Sequence, residues 1–367
     1  MCWLHSKHYK MKRFFMKTGL SVVLLLMSMQ VFAWVSPIII PDVGEARIRV
    51  VGQNARNYLS DLTASNADAK TEADFQKKTE KMANVFVALE ADIIAMCEVQ
   101  EDDQILGYIT SAMNTILGKN VYTYVTDGMQ GSKSSSGYMP VKSGYIYRSD
   151  KIATVGGSGS PYKSSIYKAR MRIQMFKEIA TDEVFVLSMN HFKAKEGTTP
   201  DPSEATRMTN ATTLVNGLSW WDSDPDILIM GDLNAMPGEE PIQKIVNAGY
   251  EEQLLRFDST AYSYVYHHTK EQLIDHVMAN STMASQITGA YVYHINNAPN
   301  ISYSKYNYSD HDACLVGLCL GANGREKQAI DNQRANEERA KKTIENGRLV
   351  LTLPDGTTYN VTGVRIR

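Results

Sequence analysis

The chain has 367 residues, 43% of them apolar and 21% charged, with a formal charge of −2. That length holds one large core with an appendage, or two ordinary domains. The composition excludes both a disordered chain and an integral membrane protein.

At the N-terminus, Lys10, Lys12, Arg13 and Lys17 precede the apolar stretch from Leu20 to Val31, and the small residue Ala33 follows. Basic, apolar and small residues in that order predict a secretory signal over residues 1–33, with Met11 a more ordinary start than Met1. The apolar run is short for a bilayer span, so no stable membrane span is expected once it is cut. Without it, 33 basic residues face 40 acidic ones, a charge of −7. Such a balance does not suit a chain built to neutralise a long duplex, although local positive patches and a metal site can still draw in phosphate. Three cysteines remain, Cys97, Cys314 and Cys319, each in or beside an apolar run; an odd number excludes complete internal pairing, and buried thiols are expected.

Arg47 to Val51 reads as a strand leading into Gly52-Gln53-Asn54. Over residues 71–89, Phe75, Met82, Val85, Phe86 and Leu89 recur at helical spacing. The apolar run from Asp92 to Cys97 then ends at Glu98. Residues 126–144, rich in glycine and serine, predict a mobile surface loop that could wall a substrate. Strands are expected over Ser143 to Arg148 and Arg170 to Phe176. Four later apolar runs adjoin a polar pair or cluster: Asn190-His191, Gly231-Asp232-Leu233-Asn234, Asp275-His276 and Asp310-His311. Short strands that each deliver a polar group to one sheet edge bring residues distant in sequence into one cleft. The predicted catalytic domain spans residues 42–321. A charged linker or helix (322–345) and a C-terminal β-hairpin tail with an Asp355-Gly356 turn (346–367) follow.

Glu98 at the end of an apolar strand needs a partner, whether a salt bridge, a backbone group that it caps, or a divalent cation; Mg²⁺ commonly uses only one or two protein carboxylates. Asp232 and Asn234, two apart, share a face if the strand continues, where an acid can orient or deprotonate water and an amide can hold a phosphoryl oxygen. Asp232 could instead cap the helix expected after Pro237. Asp310 and His311 reach one pocket only if they sit in a turn, and Asp275 is the candidate to fix the His311 tautomer. His191, followed by Lys193 and Lys195, offers an imidazole and positive charge for phosphate.

The set Gln53-Asn54, Cys97-Glu98-Val99, Asn190-His191-Phe192-Lys193, Gly231-Asp232-Leu233-Asn234, Ile274-Asp275-His276 and Ser309-Asp310-His311 resembles the endonuclease/exonuclease/phosphatase superfamily, the DNase I-like group, from about residue 46 to 320. The resemblance implies a four-layer α/β-sandwich with two central, mainly antiparallel β-sheets flanked by helices. It implies Mg²⁺, with Mn²⁺ a possible substitute, near Asn54, Glu98 and Asp310. Asp232 would position the attacking water, Asn234 hold it or a phosphoryl oxygen, His311 act as base or stabilise charge under the orienting Asp275, and His191 bind a non-bridging oxygen. Two departures stand out. Cys97 replaces the usual glutamine, and Pro140-Val141-Lys142-Ser143 lacks the acid that supports the first histidine in nuclease-like relatives, leaving a backbone group or another carboxylate to hold His191.

The expected function is hydrolysis of a phosphodiester, nucleic acid favoured, by an exported protein in the periplasm, on the cell surface or outside the cell. Inositol-phosphate or other small-molecule phosphatases and sphingomyelinase-like enzymes share the resemblance, and a catalytically silent binding module on the same scaffold is the alternative of another kind. The ending from Tyr359 to Ile366 resembles the C-terminal sorting tails of secreted Bacteroidetes proteins; a plain terminal hairpin fits it equally.

Overall fold

The computed structural model of the chain describes residues 40–219, 226–267, 269–296 and 307–321, with strand backbone at 341–345, 348–352 and 358–360. The expected signal at 1–33 lies outside the described residues. In chain order the elements begin β1 (Ile48–Tyr58), α1 (Glu72–Ala88), β2 (Ile93–Gln100), α2 (Ile105–Leu117), β3 (Tyr122–Tyr124), β4 (Val141–Arg148) and β5 (Ile152–Gly159). Then follow α3 (Tyr167–Arg170), β6 (Met171–Glu178), β7 (Val184–His191), α4 (Glu204–Leu218), β8 (Ile227–Asp232), α5 (Glu240–Val246), β9 (Tyr250–Glu252) and α6 (Gln253–Phe257). The body closes with β10 (Tyr264–Tyr266), β11 (Lys270–Gln272), β12 (Asp275–Asn280), α7 (Ser281–Ala284), β13 (Ile287–Tyr293) and β14 (Ala313–Leu318).

Two six-stranded sheets form, in the orders β13-β14-β1-β2-β4-β3 and β5-β6-β7-β8-β12-β9. Each has a single parallel pair, β1 with β2 and β7 with β8, and antiparallel neighbours elsewhere. The parallel pairs are those joined through a long helix, α1 or α4, because a parallel return needs a crossover. Thr71 caps α1 by accepting the Asp74 amide.

The sheets pack face to face through alternate side chains. Ile48, Val50, Ile93, Ala95, Cys97 and Tyr145 from one meet Phe185, Leu187, Met189, Leu228, Met230 and Val277 from the other. The intervening residues of the second sheet, Val186, Ile227, Ile229 and Met278, bury against Leu214 and Leu218 of α4 and Ile242 and Ile245 of α5. Strands covered on both faces read as continuous apolar runs, which is why β7 and β8 show no alternation in sequence. Over the first sheet, Phe75 of α1 stacks on Tyr58, and Leu106 of α2 reaches Gly144 of β4. The result is the expected four-layer α/β-sandwich. Gly52 has a place in its packing: a Cβ there would stand 2.8 Å from Cε of Met230 in the opposing sheet.

Two local expectations need correction. The glycine- and serine-rich segment is tied down: the Gly131 amide donates to Glu101 O, Ser65 N to Gly137 O and Met139 N to Asn66 Oδ1. Buried Asp127 accepts from Lys142 at 2.8 Å. Its sequence read as unpinned because its partners lie in other loops. Further on, Lys341–Glu345, placed in the charged linker or helix, is a strand, β15, paired with β16 (Arg348–Thr352), which pairs in turn with β17 (Thr358–Asn360). Charge density masked the β-branched Thr343-Ile344, and Asn346-Gly347 between the strands is a strong hairpin signal. The expected turn at residues 354–356 lies outside the described residues.

Candidate active site

In a parallel β–crossover–β unit the carboxyl ends of both strands open on the same edge, and here both such units open on one cavity. Asn54 lies opposite Cys97 in the β1–β2 pairing, one residue before Glu98, and His191 lies opposite Asp232 in β7–β8. β12 adds Asp275 directly opposite Asp232. The segment before β14 adds Asp310 and His311, and His311 is bridged to Tyr264 of β10. Glu98, His191, Asp232, Asn234, Asp310 and His311 all line this cavity of about 640 Å³.

Local backbone irregularities aim the groups. β1 shifts register between Asn54 and Tyr58, with Arg56 and Asn57 at φ of 48° and 45°, and the Asn57 amide thereby donates to Glu98 Oε2 at 2.9 Å. Glu98 itself has φ of 56° and Asn234 φ of 50°. Such left-handed conformations in non-glycine residues gather where a site dictates the backbone.

Asn54 Nδ2 donates to Glu98 Oε1 at 3.1 Å and to Asp232 Oδ2 at 3.0 Å, while its Oδ1 accepts the Arg56 amide. His191 Nε2 stands 3.5 Å from Glu98 Oε1 and 3.9 Å from Asp232 Oδ2. On the other side, His311 Nδ1 and Asp275 Oδ2 are 2.7 Å apart, and His311 Nε2 is 3.8 Å from Asp232 Oδ2. Ser263 Oγ donates to the same Asp275 oxygen at 2.8 Å. Asp232 Oδ1 accepts the Asn234 amide at 2.9 Å, and Asn234 Nδ2 donates to Phe192 O. Asp232 thus forms the hub, reached by both imidazoles and an amide.

Burial and neighbours shift the two histidines in opposite directions. Burial pulls His191 down to about 4 despite the opposing Glu98. Burial also opposes charge on His311, but Asp275 and Asp232 outweigh it and hold this imidazole well above its ordinary value. Burial, reinforced by Asp275 and Glu98 against His311, pushes Asp232 up to about 7. Burial would raise Glu98 too, yet His191 and the Asn54 hydrogen bond bring it below its usual value.

The cavity therefore unites seven of the expected residues, Lys195 among them, with Asn54 and Asp275 bonded to its lining. Lys195 is paired with Glu239 at 2.6 Å, whereas Lys193 is not in the lining and pairs with Glu196, which is. The segment at 126–144 supplies no lining residue. Of the supports expected for His191, carboxylates stand at Nε2, Glu98 at 3.5 Å and Asp232 at 3.9 Å, while its buried Nδ1 has no hydrogen-bond partner among the described residues. Lys142, where an acid was missing, faces Asp103 and Asp127 instead. Cys97 is buried between the sheets, which pushes its thiol far up and leaves it inert.

Sequence reading missed Asn57, Ser263, Tyr264 and Lys270. Tyr264 lies against the His311 ring with centroids 4.8 Å apart. Tyr264, Tyr266, Lys270 and Gln272 form one cavity-facing patch of the β10–β11 hairpin, with Tyr264 opposite Gln272 and Tyr266 opposite Lys270. The alternation of Tyr262, Tyr264 and Tyr266 was the available signal.

The chain belongs to the endonuclease/exonuclease/phosphatase family, whose pattern it matches over residues 54–293, more than half its length. Among solved structures, the fold is similar to an endonuclease/exonuclease/phosphatase from Bacteroides vulgatus (TM-score 0.53, 14% identity, covering 75% of this chain and 99% of that one). It is likewise similar to a family protein from Bacteroides thetaiotaomicron (0.54, 16%, 74% and 97%) and to the human Nocturnin catalytic domain (0.50, 14%, 73% and 93%). No curated protein matches significantly.

The donor set fits a hard divalent cation. Glu98, His191 and Asp232 bring ligand-capable atoms within 4.8 Å of one another; Asp232, Asp275 and His311 lie equally close, but there His311 and Asp275 pair with each other. The raised Asp232 registers an excess of buried negative charge that a cation would relieve. Family and site together support a metal-dependent phosphoesterase. No helix among the described residues is long and apolar enough to cross a membrane.

Proposed function

We propose that this chain is an exported, Mg²⁺-dependent phosphodiesterase that hydrolyses nucleic acid by in-line attack of water on phosphorus, with Mn²⁺ able to replace Mg²⁺. One observation carries the chemistry: the Asp232 carboxyl stands between two imidazoles, with His191 Nε2 at 3.9 Å and His311 Nε2 at 3.8 Å. Asp232 orients the attacking water and takes its proton. Asn234, on the same turn, holds that water or a phosphoryl oxygen. His311, protonated and fixed through Nδ1 by Asp275, stabilises the charge that builds on the phosphoryl oxygens. His191 contacts a non-bridging oxygen through Nε2. Glu98 and Asp310, with Asn54 bonded to Glu98, would hold the cation, which when bound would supply Lewis-acid stabilisation of the phosphoryl group.

Nucleic acid is favoured because the cavity is rimmed by Tyr264 and Tyr266, flat surfaces on which a base can stack, and by Lys270, which has no ion-pair partner among the described residues. The basic, apolar and small residues of positions 1–33 support export.

The test is a panel of DNA, RNA, phosphomonoesters, inositol phosphates and sphingomyelin, assayed with and without Mg²⁺. Metal-dependent cleavage of DNA or RNA, lost about 100-fold or more in D232N and H311A, is expected. Turnover confined to another class would overturn the substrate assignment, and unimpaired turnover in both variants would overturn the mechanism. Inactivity across the panel, with no Mg²⁺ or Mn²⁺ binding, would mark a silent binding module. N-terminal sequencing of the protein recovered outside the cytoplasm tests the export signal.

A further inference from the structure

Asp275 and His276 are adjacent in β12 and therefore point to opposite faces. Asp275 turns into the site. His276 turns outward with Met278, toward the layer of α4 and α5, where it is 1% exposed and has no place in the chemistry above. Its ring is held at both ends: Nδ1 lies 2.5 Å from Glu252 Oε2, and Nε2 lies 2.8 Å from Ala235 O. A carbonyl oxygen can only accept, so Nε2 carries a proton. A carboxylate at 2.5 Å accepts too, so Nδ1 also carries one. Burial opposes this charged ring, and Glu252 more than compensates.

Glu252 is itself fixed, with Oε1 accepting the amides of Leu254 at 3.0 Å and Val277 at 3.4 Å. What the imidazolium grips at its other end is the carbonyl immediately after Asn234. That residue is held in a left-handed conformation, φ 50°, its amide tied back to Asp232 Oδ1. The turn bearing the hub carboxylate and the amide is thus tied at its start by β8, in the middle by its own carboxylate, and at its end by His276.

We infer that His276, held through Nδ1 by Glu252, is a positioning residue for Asn234: it locks the Asp232–Ala235 turn from behind the sheet, without touching substrate. The inference rests on the proposed role of Asn234. A purely structural ion pair would contribute stability alone. A positioning residue must also act on rate, and through Asn234 specifically. A small displacement of an orienting group costs up to about 100-fold in rate.

Two readouts separate the possibilities. The first needs no activity: amide exchange by NMR in H276L, where the Asn234 amide should exchange about 10-fold faster or more while the Val186 amide, bonded to Asp226 O at the far end of β8, holds its rate. Unchanged Asn234 protection in the folded variant would overturn the inference, whatever the enzyme does. The second is Mg²⁺-dependent turnover of bis(p-nitrophenyl) phosphate. H276L should lose about 10- to 100-fold in kcat with KM changed less than about 2-fold, and E252Q, whose amide can donate to Nδ1 and leave the ring proton on Nε2 for Ala235 O, should lose much less. In an N234A background the same H276L change should cost less than about 3-fold. An undiminished loss there would show that His276 does not work through Asn234. If H276L does not fold, H276Q takes its place in both assays under the same criteria. Wild-type protein with no turnover would sink the phosphoesterase reading but not the clamp, which the exchange experiment judges alone.

Discussion

Replacing Gly231 with alanine should be among the most damaging single changes in this protein. Gly231 precedes the hub Asp232, pairs with Asn190 across the parallel β7–β8 junction, and has φ of 128°, a region that L side chains rarely adopt. A Cβ there would stand 2.0 Å from Asn190 O and 2.8 Å from Asn190 N, all backbone atoms that cannot rotate away. Reaching even 3.0 Å, the closest approach that real Cβ atoms show, requires the strands to part by about 1 Å at the site edge. The backbone conformation costs about 1–3 kcal/mol, and weakening two or three ladder hydrogen bonds beside it adds about 1 kcal/mol each. The total, about 3–6 kcal/mol, is a large part of the stability of an ordinary domain. Urea denaturation of G231A measures it, with G157A as control, since a Cβ at Gly157 meets nothing within 4 Å. A G231A protein with an unchanged urea midpoint and full turnover would refute the reasoning, because parting β7 from β8 also parts His191 from Asp232.

The remaining predictions are more local. D275N should lower kcat by about 100-fold or more, as the partner that fixes the His311 tautomer loses its charge. Because Asp275 helps raise His311, the protonated ring is lost as pH rises through that raised value, and D275N should move the alkaline limb of the rate profile to lower pH; an unmoved limb would disconnect the pair from catalysis. Mg²⁺ at about 100 times its Kd should stabilise the wild type by about 2.7 kcal/mol, read as a rise in Tm, and the rise should vanish in E98Q; an equal rise in both would place the ion elsewhere. His276 is raised in the fold above its ordinary 6.5, so its stabilisation is complete below that value and is lost as pH climbs through the folded one. The urea-midpoint gap between wild type and H276Q should therefore narrow with rising pH, and a constant gap would contradict a charged ring.

The large features were legible wherever a residue's role lies in its own strand. The apolar runs before Glu98, His191 and Asp232 marked three of the strands that bear the site, because strands covered on two faces leave that mark. Asp275 could be matched to His311 from the chemical need for an orienting acid. Contributions made by the backbone were not legible. The Asn57 amide reaches Glu98 only through the bulge in β1, and no side-chain pattern encodes that reach. Partnerships between distant loops stayed hidden as well: Asp127 looked like part of a loose glycine-rich stretch until Lys142 was seen to bury against it. The tail misled for a simpler reason, since Lys341-Lys342 drew attention from Thr343-Ile344 beside them.

The single parallel pair in each sheet has a consequence for how this protein loses activity. The site lies on a seam between two similar half-structures, Glu98 and Asn54 on one bank and His191 and Asp232 on the other. The greasy filling between the sheets sets the alignment of the banks, with Met230 seated over Gly52 as a detent. A slip of one sheet past the other by a fraction of a residue would leave every strand intact and still pull the hub carboxylate away from its amide. Heat inactivation should therefore run ahead of the loss of secondary structure, and repacking of this filling, far from any substrate, is where adaptation to a new working temperature would act.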